Sequence, residues 1–225
     1  MTWNIHGGVG PDRRHDLQRV LALVQRADPD VLAIQEVDSR RSIGGEHPAA
    51  LLKRGLGHHG IAAAAIVTPD GDYGQVLLSR WSLTDTEVHD ISFPGREPRR
   101  AITAVVNAPM GHVFVLAAHL GLKVAERRTQ CAQMAGLLER SELTTIALGD
   151  FNDWIWPGSV QNVLARNLPG RSQHRTFPAR LPALKLDRVF TRPAAALVRS
   201  WVDPAGRAVS DHLPVIAEIE CRGSR

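Results

Sequence analysis

The stretch Thr144-Thr145-Ile146-Ala147-Leu148-Gly149-Asp150-Phe151-Asn152 begins as a buried strand and ends in polar side chains. Thr144 to Leu148 is apolar or β-branched, as a strand covered on both faces requires. Gly149 then permits a sharp exit from that strand. On an extended backbone, residues i and i+2 share a face. This predicts Asp150 and Asn152 side by side, with Phe151 anchored in the core between them. Just upstream, Glu126 to Arg140 reads as an amphipathic helix with Cys131, Ala135 and Leu138 on one face. A helix feeding a buried strand is the repeating unit of an α/β chain.

The same alternation extends outward in both directions. Residues 2 to 5 read as a first strand. From Asp16 to Ala27, Leu17, Val20, Leu21 and Val24 fall at i, i+3, i+4 and i+7, which predicts a helix. Asp28-Pro29-Asp30 ends it, because proline disfavours helix in the residue before it. Val31 to Ile34 is a buried strand with Glu36 just past its end. A short helix is expected from about Pro48 to Leu56. Ala62 to Val67, Gln75 to Leu78, Thr84 to Ile91, Ala101 to Val106 and His112 to Ala118 read as strands joined by Gly- and Pro-containing turns. Strands in unbroken succession imply antiparallel or mixed pairing. Pro169 to Pro182 is rich in Pro and Arg and reads as a loop. Leu186 to Phe190, Val198 to Val202 and Val215 to Ile219 close the chain. No linker divides it, so residues 1–225 read as one domain.

Composition sets limits on what such a chain does. Hydrophobic residues are 44% and charged residues 22%, as in an ordinary globular protein. The formal charge of +4 and a pI near 9.7 favour anionic ligands: a phosphate substrate, nucleic acid or an anionic lipid head group. The positive residues are spread along the chain rather than gathered in a basic arm. Cys131 and Cys221 lie far apart and outside any CxxC pattern, which argues against a cysteine zinc site or a disulfide framework. Unpaired thiols fit a reducing compartment. No apolar stretch is long enough to span a bilayer, and no basic segment followed by an apolar one opens the chain. The expectation is a cytoplasmic protein with no obligate protein partner.

The polar residues at strand ends carry the chemistry. Asn4 offers a carbonyl oxygen to a hard cation, and Gly7-Gly8 after His6 lets the backbone turn tightly there. Glu36 follows an apolar run, where a carboxylate must be paired, hydrogen-bonded or bound to a metal. Asp150 can orient or deprotonate a water. Asp211 and His212 precede Leu213-Pro214, so both belong to a loop and can reach one site. A histidine there can bind phosphate or donate a proton, and a carboxylate such as Asp187 would fix its tautomer. His119 ends the run Val113 to Ala118, as Asp150 ends its own. For His15, His47, His58, His59, His89, His112 and His174 a surface or satisfied core role is the better reading. Each short pattern also has a bland reading, a polar turn or a surface charge, and their joint order decides between the two.

These patterns in this order resemble the endonuclease/exonuclease/phosphatase superfamily, the DNase I-like metal-dependent phosphoesterases. The resemblance runs from Trp3-Asn4-Ile5-His6-Gly7-Gly8 through Gln35-Glu36-Val37-Asp38, Tyr73-Gly74-Gln75-Val76-Leu77-Leu78-Ser79-Arg80, His119-Leu120-Gly121-Leu122, Gly149-Asp150-Phe151-Asn152-Asp153 and Leu186-Asp187-Arg188-Val189-Phe190 to Ser210-Asp211-His212-Leu213-Pro214. It implies a four-layer α/β sandwich, two mixed sheets face to face with helices outside. It further implies that Glu36 is the main ligand of Mg²⁺ or Mn²⁺, with Asn4 beside it and Asp211 as a second metal-side acid. Asp150 is implied as the residue that aligns water and Asn152 as a phosphate or transition-state ligand. His212 is implied at the scissile phosphate with Asp187 orienting it, and His119 as the histidine of the central strand. The segments Thr176 to Pro182, Glu97 to Ala101 and Ala125 to Arg128 resemble a bacterial branch. Two departures stand out. Gln75 replaces the asparagine that many members carry after the glycine of this strand. Met1 stands directly before Thr2-Trp3-Asn4, where members carry several more residues of the first strand, and a looser anchoring of Asn4 is the expectation.

The resulting expectation is water attack on a phosphate ester of phosphodiesterase or nuclease type. A lipid or small-molecule phosphoesterase and a non-catalytic phosphate-binding module are the alternatives. Arg180, Arg188 and Arg100 are the expected substrate clamps, because a guanidinium matches phosphate oxygens. Trp154 and Trp156 follow the Asp150 motif and suit base stacking, a membrane interface or a core cap.

Overall fold

The computed structural model describes residues 1–41, 47–56, 59–139, 141–154 and 160–221. Among them, one six-stranded sheet runs in the order β11 (Leu197–Val202), β12 (Val215–Ile219), β1 (Thr2–Asn4), β2 (Val31–Asp38), β4 (Gly71–Ser79) and β3 (His59–Thr68). The second runs β5 (Leu83–Asp90), β6 (Arg100–Ala108), β7 (Gly111–His119), β8 (Thr144–Asp150), β10 (Asp187–Arg192) and β9 (Gly170–Arg171). The pairs β1–β2 and β7–β8 are parallel and the other neighbours antiparallel, so both sheets are mixed.

Strand alternation builds the layers. Ala33, Leu77, Val115, Ala117, Leu148 and Val189 point between the sheets and pack together. Their chain neighbours point outward. Ile34 and Leu78 meet α1 (Leu17–Ala27) and α2 (Pro48–Leu56) through Val20, Val24 and Leu52. Leu116, Ala147 and Phe190 meet α3 (Val124–Leu138) and α4 (Val160–Asn167) through Cys131, Met134 and Leu164. Both faces of the central strands are therefore covered, which is why they read as continuous apolar runs. The four-layer α/β sandwich expected from the resemblance is what the chain forms.

The boundaries differ where physics was local. Helix α1 begins one residue after Asp16, whose carboxylate caps it by accepting from the backbone N–H groups of Gln18 and Arg19 (2.9 and 3.4 Å). The expected Glu126–Arg140 helix starts earlier, at Val124, and ends at Leu138. Strand β8 does not end at Leu148; Gly149 and Asp150 belong to it. Gly149 is not an exit but a close approach. Its φ is 153°, and a Cβ there would sit 1.8 Å from the carbonyl oxygen of Ala118 on β7. Likewise Glu36 lies inside β2, at a bulge between Gln35 and Val37, and not beyond its end. Helix α4 and the two-residue β9, inside the expected loop from Pro169, are additions to the sequence reading. The first strand, expected over residues 2 to 5, is Thr2–Asn4.

The candidate residues collect at one edge of the sandwich. Asn4, His119 and Asp150 end β1, β7 and β8; Arg100 and Asp187 begin β6 and β10.

Candidate active site

Register alone places three candidates in a row across the second sheet. His119 pairs with Asp150 between β7 and β8, and Asp150 pairs with Asp187 between β8 and β10. The first sheet brings Asn4 over the same point. Its amide nitrogen donates to Asp150 Oδ2 (3.0 Å) and to Glu36 Oε1 (2.8 Å). Glu36 is turned toward Asn4 by the β2 bulge, where its φ is 59°.

A recurring turn fixes the other groups. The backbone N–H of His6 donates to Asn4 Oδ1 (3.0 Å), that of Asn152 to Asp150 Oδ1 (3.0 Å), and that of His212 to Ser210 Oγ (3.1 Å). Each is a side chain bonding the backbone two residues on, the habit of Asx and Ser turns. This corrects the alternation expected for Asp150 and Asn152. Phe151 does point into the core, edge-on to Phe190 at 5.3 Å. Asn152, however, has φ 50° and reaches the site by a turn, while its amide nitrogen donates to the carbonyl of Leu120 (2.9 Å). The same turn orients Asn4. Its carbonyl oxygen accepts from His6 N–H, and its nitrogen bridges Glu36 and Asp150.

His212 is held from four sides. Its Nδ1 lies 2.8 Å from Asp187 Oδ2, its ring packs on Phe177 (centroids 4.8 Å apart), Trp3 Nε1 donates to its carbonyl (2.9 Å), and Ser210 holds its N–H. Its Nε2 is 3.9 Å from Asp150 Oδ2, and His119 Nε2 is 3.6 Å from the same oxygen. Asp150 is thus flanked by two histidines and an amide. Ser210 Oγ also donates to the carbonyl of Asn4 (2.8 Å), tying this loop to β1. The segment from Thr176 supports the same group, through Asp187 N–H to Thr176 Oγ1 (3.2 Å) and Leu213 N–H to Thr176 O (2.9 Å).

Burial sets the charges. Asp150 is pushed up to about 6, by burial first and then by Asp187, against His212 and the hydrogen bonds from Asn4 and Asn152. Burial opposes a proton on His212, but Asp187, Asp150 and Asp211 outweigh it and push the imidazole up to about 10. The cluster therefore favours a cationic His212. His119 goes the other way: burial, then the charges of Arg99 and His212, hold it well below the ordinary value of 6.5 and keep it neutral.

Two sets of side chains offer ligand atoms to a divalent cation. Among the described residues, Asp150, Asp187 and His212 bring ligand atoms within 4.8 Å of one another. There His212 Nδ1 is engaged by Asp187 Oδ2 (2.8 Å), and all three side chains are buried. Glu36 and Asp211 form a more open pair, with side chains 22% and 42% exposed. His6 Nδ1 sits between them, 3.8 Å from Glu36 Oε2 and 3.7 Å from Asp211 Oδ2. Hard carboxylate oxygens at a solvent-facing point fit Mg²⁺ or Mn²⁺, which keep several waters.

The expected arginine clamps separate. Arg188 is 2% exposed, and its Nε donates to the carbonyl of Lys185 (3.0 Å). It follows Asp187 on β10 and so points away from it, toward Asp153, and does not serve as a clamp. Arg100 pairs with Asp90 (2.6 Å) and donates to Ser92 Oγ (3.0 Å). Arg180 is exposed, one residue from Ala179, whose N–H donates to the carbonyl of Asp211 (2.6 Å). Trp154 is 47% exposed, and Trp156 lies outside the described residues. Tyr73, Arg99 and Ser210 were not among the expected site residues. Arg99 was one arginine among several, and only its neighbourhood to His119 in space sets it apart.

The sandwich and this edge define a phosphoesterase architecture, and the comparisons agree. The model of the Endonuclease/Exonuclease/phosphatase family matches residues 1–212. The chain belongs to that family, whose members act on phosphate esters. It is 31% identical to the uncharacterized protein YbhP of Escherichia coli K12, over 97% of this chain and 94% of that protein. An endonuclease/exonuclease/phosphatase family protein from Leptotrichia buccalis has the same fold, with TM-score 0.77, 17% identity and coverage of 97% and 98% of the two chains. A 3'-5' exonuclease from Neisseria meningitidis also shares it, with TM-score 0.66, 23% identity and coverage of 97% and 98%.

Proposed function

We propose that the protein is a divalent-cation-dependent phosphodiesterase of nuclease type, in which water attacks phosphorus. The observation that carries this is Asp150, buried between His119 and His212 and bonded through Asn4 to Glu36. Glu36 and Asp211 would hold Mg²⁺ or Mn²⁺, which when bound supplies positive charge to the phosphoryl and leaving oxygens.

The residues of the chain do the rest. Asp150 is ionised at neutral pH and sits beside Asn4 and the two histidines, where it aligns the attacking water and accepts its proton. The imidazolium of His212 lies against the phosphoryl oxygens, and Asp187 holds its Nδ1 proton in place. Neutral His119 contributes a hydrogen bond without adding charge. Asn152 presents its turn beside Asp150 as a further phosphate contact. Arg180 and Arg100, at the rim, are the proposed contacts to the rest of the substrate.

The test is hydrolysis of plasmid DNA, an abasic duplex, bis-p-nitrophenyl phosphate and an anionic phospholipid with Mg²⁺, Mn²⁺ or EDTA. Cleavage of a phosphodiester that EDTA abolishes and Mg²⁺ restores supports the reading. Undiminished cleavage in EDTA, or none of any phosphoester with cation bound, contradicts it.

A further inference from the structure

The start of helix α3 buries polar side chains. Its second half packs Cys131, Met134, Leu137 and Leu138 into the core, as an amphipathic helix does. Its first two turns bury Glu126, Arg127 and Gln130 instead. Arg127 and Gln130 are fully covered, whereas the adjacent Arg128 is exposed. A guanidinium taken out of water is costly unless its partners offset the loss. Those of Arg127 do so only in part: Nη1 carries hydrogen bonds, while among the described residues Nε and Nη2 make none. An apolar side chain of similar volume would serve stability as well or better. Packing alone therefore does not account for an arginine here.

What Arg127 touches does account for it. Nη1 donates to the carbonyls of Gly121 (3.3 Å) and Leu122 (2.6 Å), and Gln130 Oε1 accepts from the N–H of Gly121 (2.9 Å). A Cβ at Gly121 would fall 1.7 Å from the carboxyl carbon of Glu126, so the loop lies directly on the helix. That loop leaves β7 just after His119. Leu120, between His119 and Gly121, donates its N–H to the carbonyl of Asp150 (2.9 Å) and accepts from the amide of Asn152 (2.9 Å). On its other side, Arg127 Nε lies 3.9 Å from Oδ1 of Asp153, the residue after Asn152. That is too long for a hydrogen bond, but both side chains are buried, where opposite charges attract more strongly than in water. Because β7 and β8 are parallel, no tight turn joins their ends, and α3 is the crossover between them. One guanidinium of that crossover thus spans the loop behind His119 and the turn that carries Asp150 and Asn152.

We infer that Arg127 is a positioning residue for hydrolysis: it ties these two segments together and so sets His119, Asp150 and Asn152 relative to one another. Fully buried, it does not itself meet substrate. The inference rests on the phosphoesterase reading, in which those three side chains act together.

The test compares three variants. Arg127→Met removes the guanidinium at similar bulk. Arg127→Lys keeps a cation beside Asp153 but lacks the planar fork. Leu138→Ala opens a cavity at the far end of the same helix and controls for lost stability. Hydrolysis of bis-p-nitrophenyl phosphate with Mg²⁺ gives kcat and KM, and urea unfolding gives stability. NMR follows the ring of His119 and the side-chain amide of Asn152. Arg127→Met should lower kcat roughly 10- to 100-fold, the scale of a small misplacement of reacting groups, with KM within about two-fold. Arg127→Lys should recover part of that loss. Both should shift the His119 and Asn152 signals. Leu138→Ala should lose stability while keeping kcat and those signals. Should Arg127→Met not fold, Arg127→Lys decides. Unchanged kcat and signals in a folded Arg127 variant, or an equal fall in kcat in Leu138→Ala, would overturn the inference and leave Arg127 a structural residue. A wild type that turns over no phosphoester would defeat the functional reading, and the NMR shifts would still decide whether Arg127 places these groups.

Discussion

Asp150 and His212 share one neighbourhood yet are pushed in a way that suits opposite roles. The carboxylate, at about 6, is ionised above that pH; the imidazole, at about 10, is protonated below it. If the ionised acid and the cationic histidine are both required, kcat/KM rises as pH climbs through about 6 and falls as it passes about 10. A profile flat from pH 5 to 7 would remove Asp150 as the base. These groups interact strongly, so the two limbs belong to the cluster with Asp187 and not to one residue each. His212→Ala should lower kcat by roughly 10²–10³, the scale of losing one preorganised electrostatic contact. Its fold should persist, because Asp187 keeps the N–H of its own strand bonded to Thr176. Retention of full turnover in that variant would exclude a direct role for His212.

At the scale of elements, the site is made by departures from regular strands. A bulge aims Glu36, three side-chain turns aim His6, Asn152 and His212, and Gly149 lets β8 lie against β7. Gly149→Ala would force a Cβ into the carbonyl of Ala118, so a loss above about 2 kcal/mol is expected in urea unfolding. An unchanged midpoint would show that the strands can yield there. Ser210→Ala removes one hydroxyl that serves both Asn4 and His212; about 1–2 kcal/mol of stability and part of kcat should go with it, measured by unfolding and single-turnover rates. The sequence showed which residues gather, since apolar runs ending in Asp, Glu, Asn or His are visible in one dimension. It did not show how they turn. The alternation argument for Asp150 and Asn152 put both in one place for the wrong geometric reason, because it had no view of the Asx turn. Glu36 was placed past a strand that in fact continues through it, since a bulge leaves no mark in hydropathy. Helix α4 escaped because its short apolar face, Val160 and Leu164, follows a segment rich in Trp and Pro with no helical period.

The whole molecule explains why the edge is the site. Five strand ends from both sheets meet there, and Glu36 joins them from inside β2. The order of motifs along the chain carried the family and the four-layer fold. It could not separate the arginines, which look alike in sequence: Arg188 is buried on the helix side of its strand, whereas Arg99 lines the cleft side. Among the described residues no helix is long and apolar enough to cross a membrane. The central claim is that Asp150 activates water within this frame. Its most direct test is the single-turnover rate of bis-p-nitrophenyl phosphate hydrolysis with Mg²⁺, wild type against Asp150→Asn, with unfolding midpoints measured on both. The account predicts a fall of at least about 10³ in rate with the variant still folded. A folded Asp150→Asn protein that hydrolyses within a few-fold of wild type would contradict it.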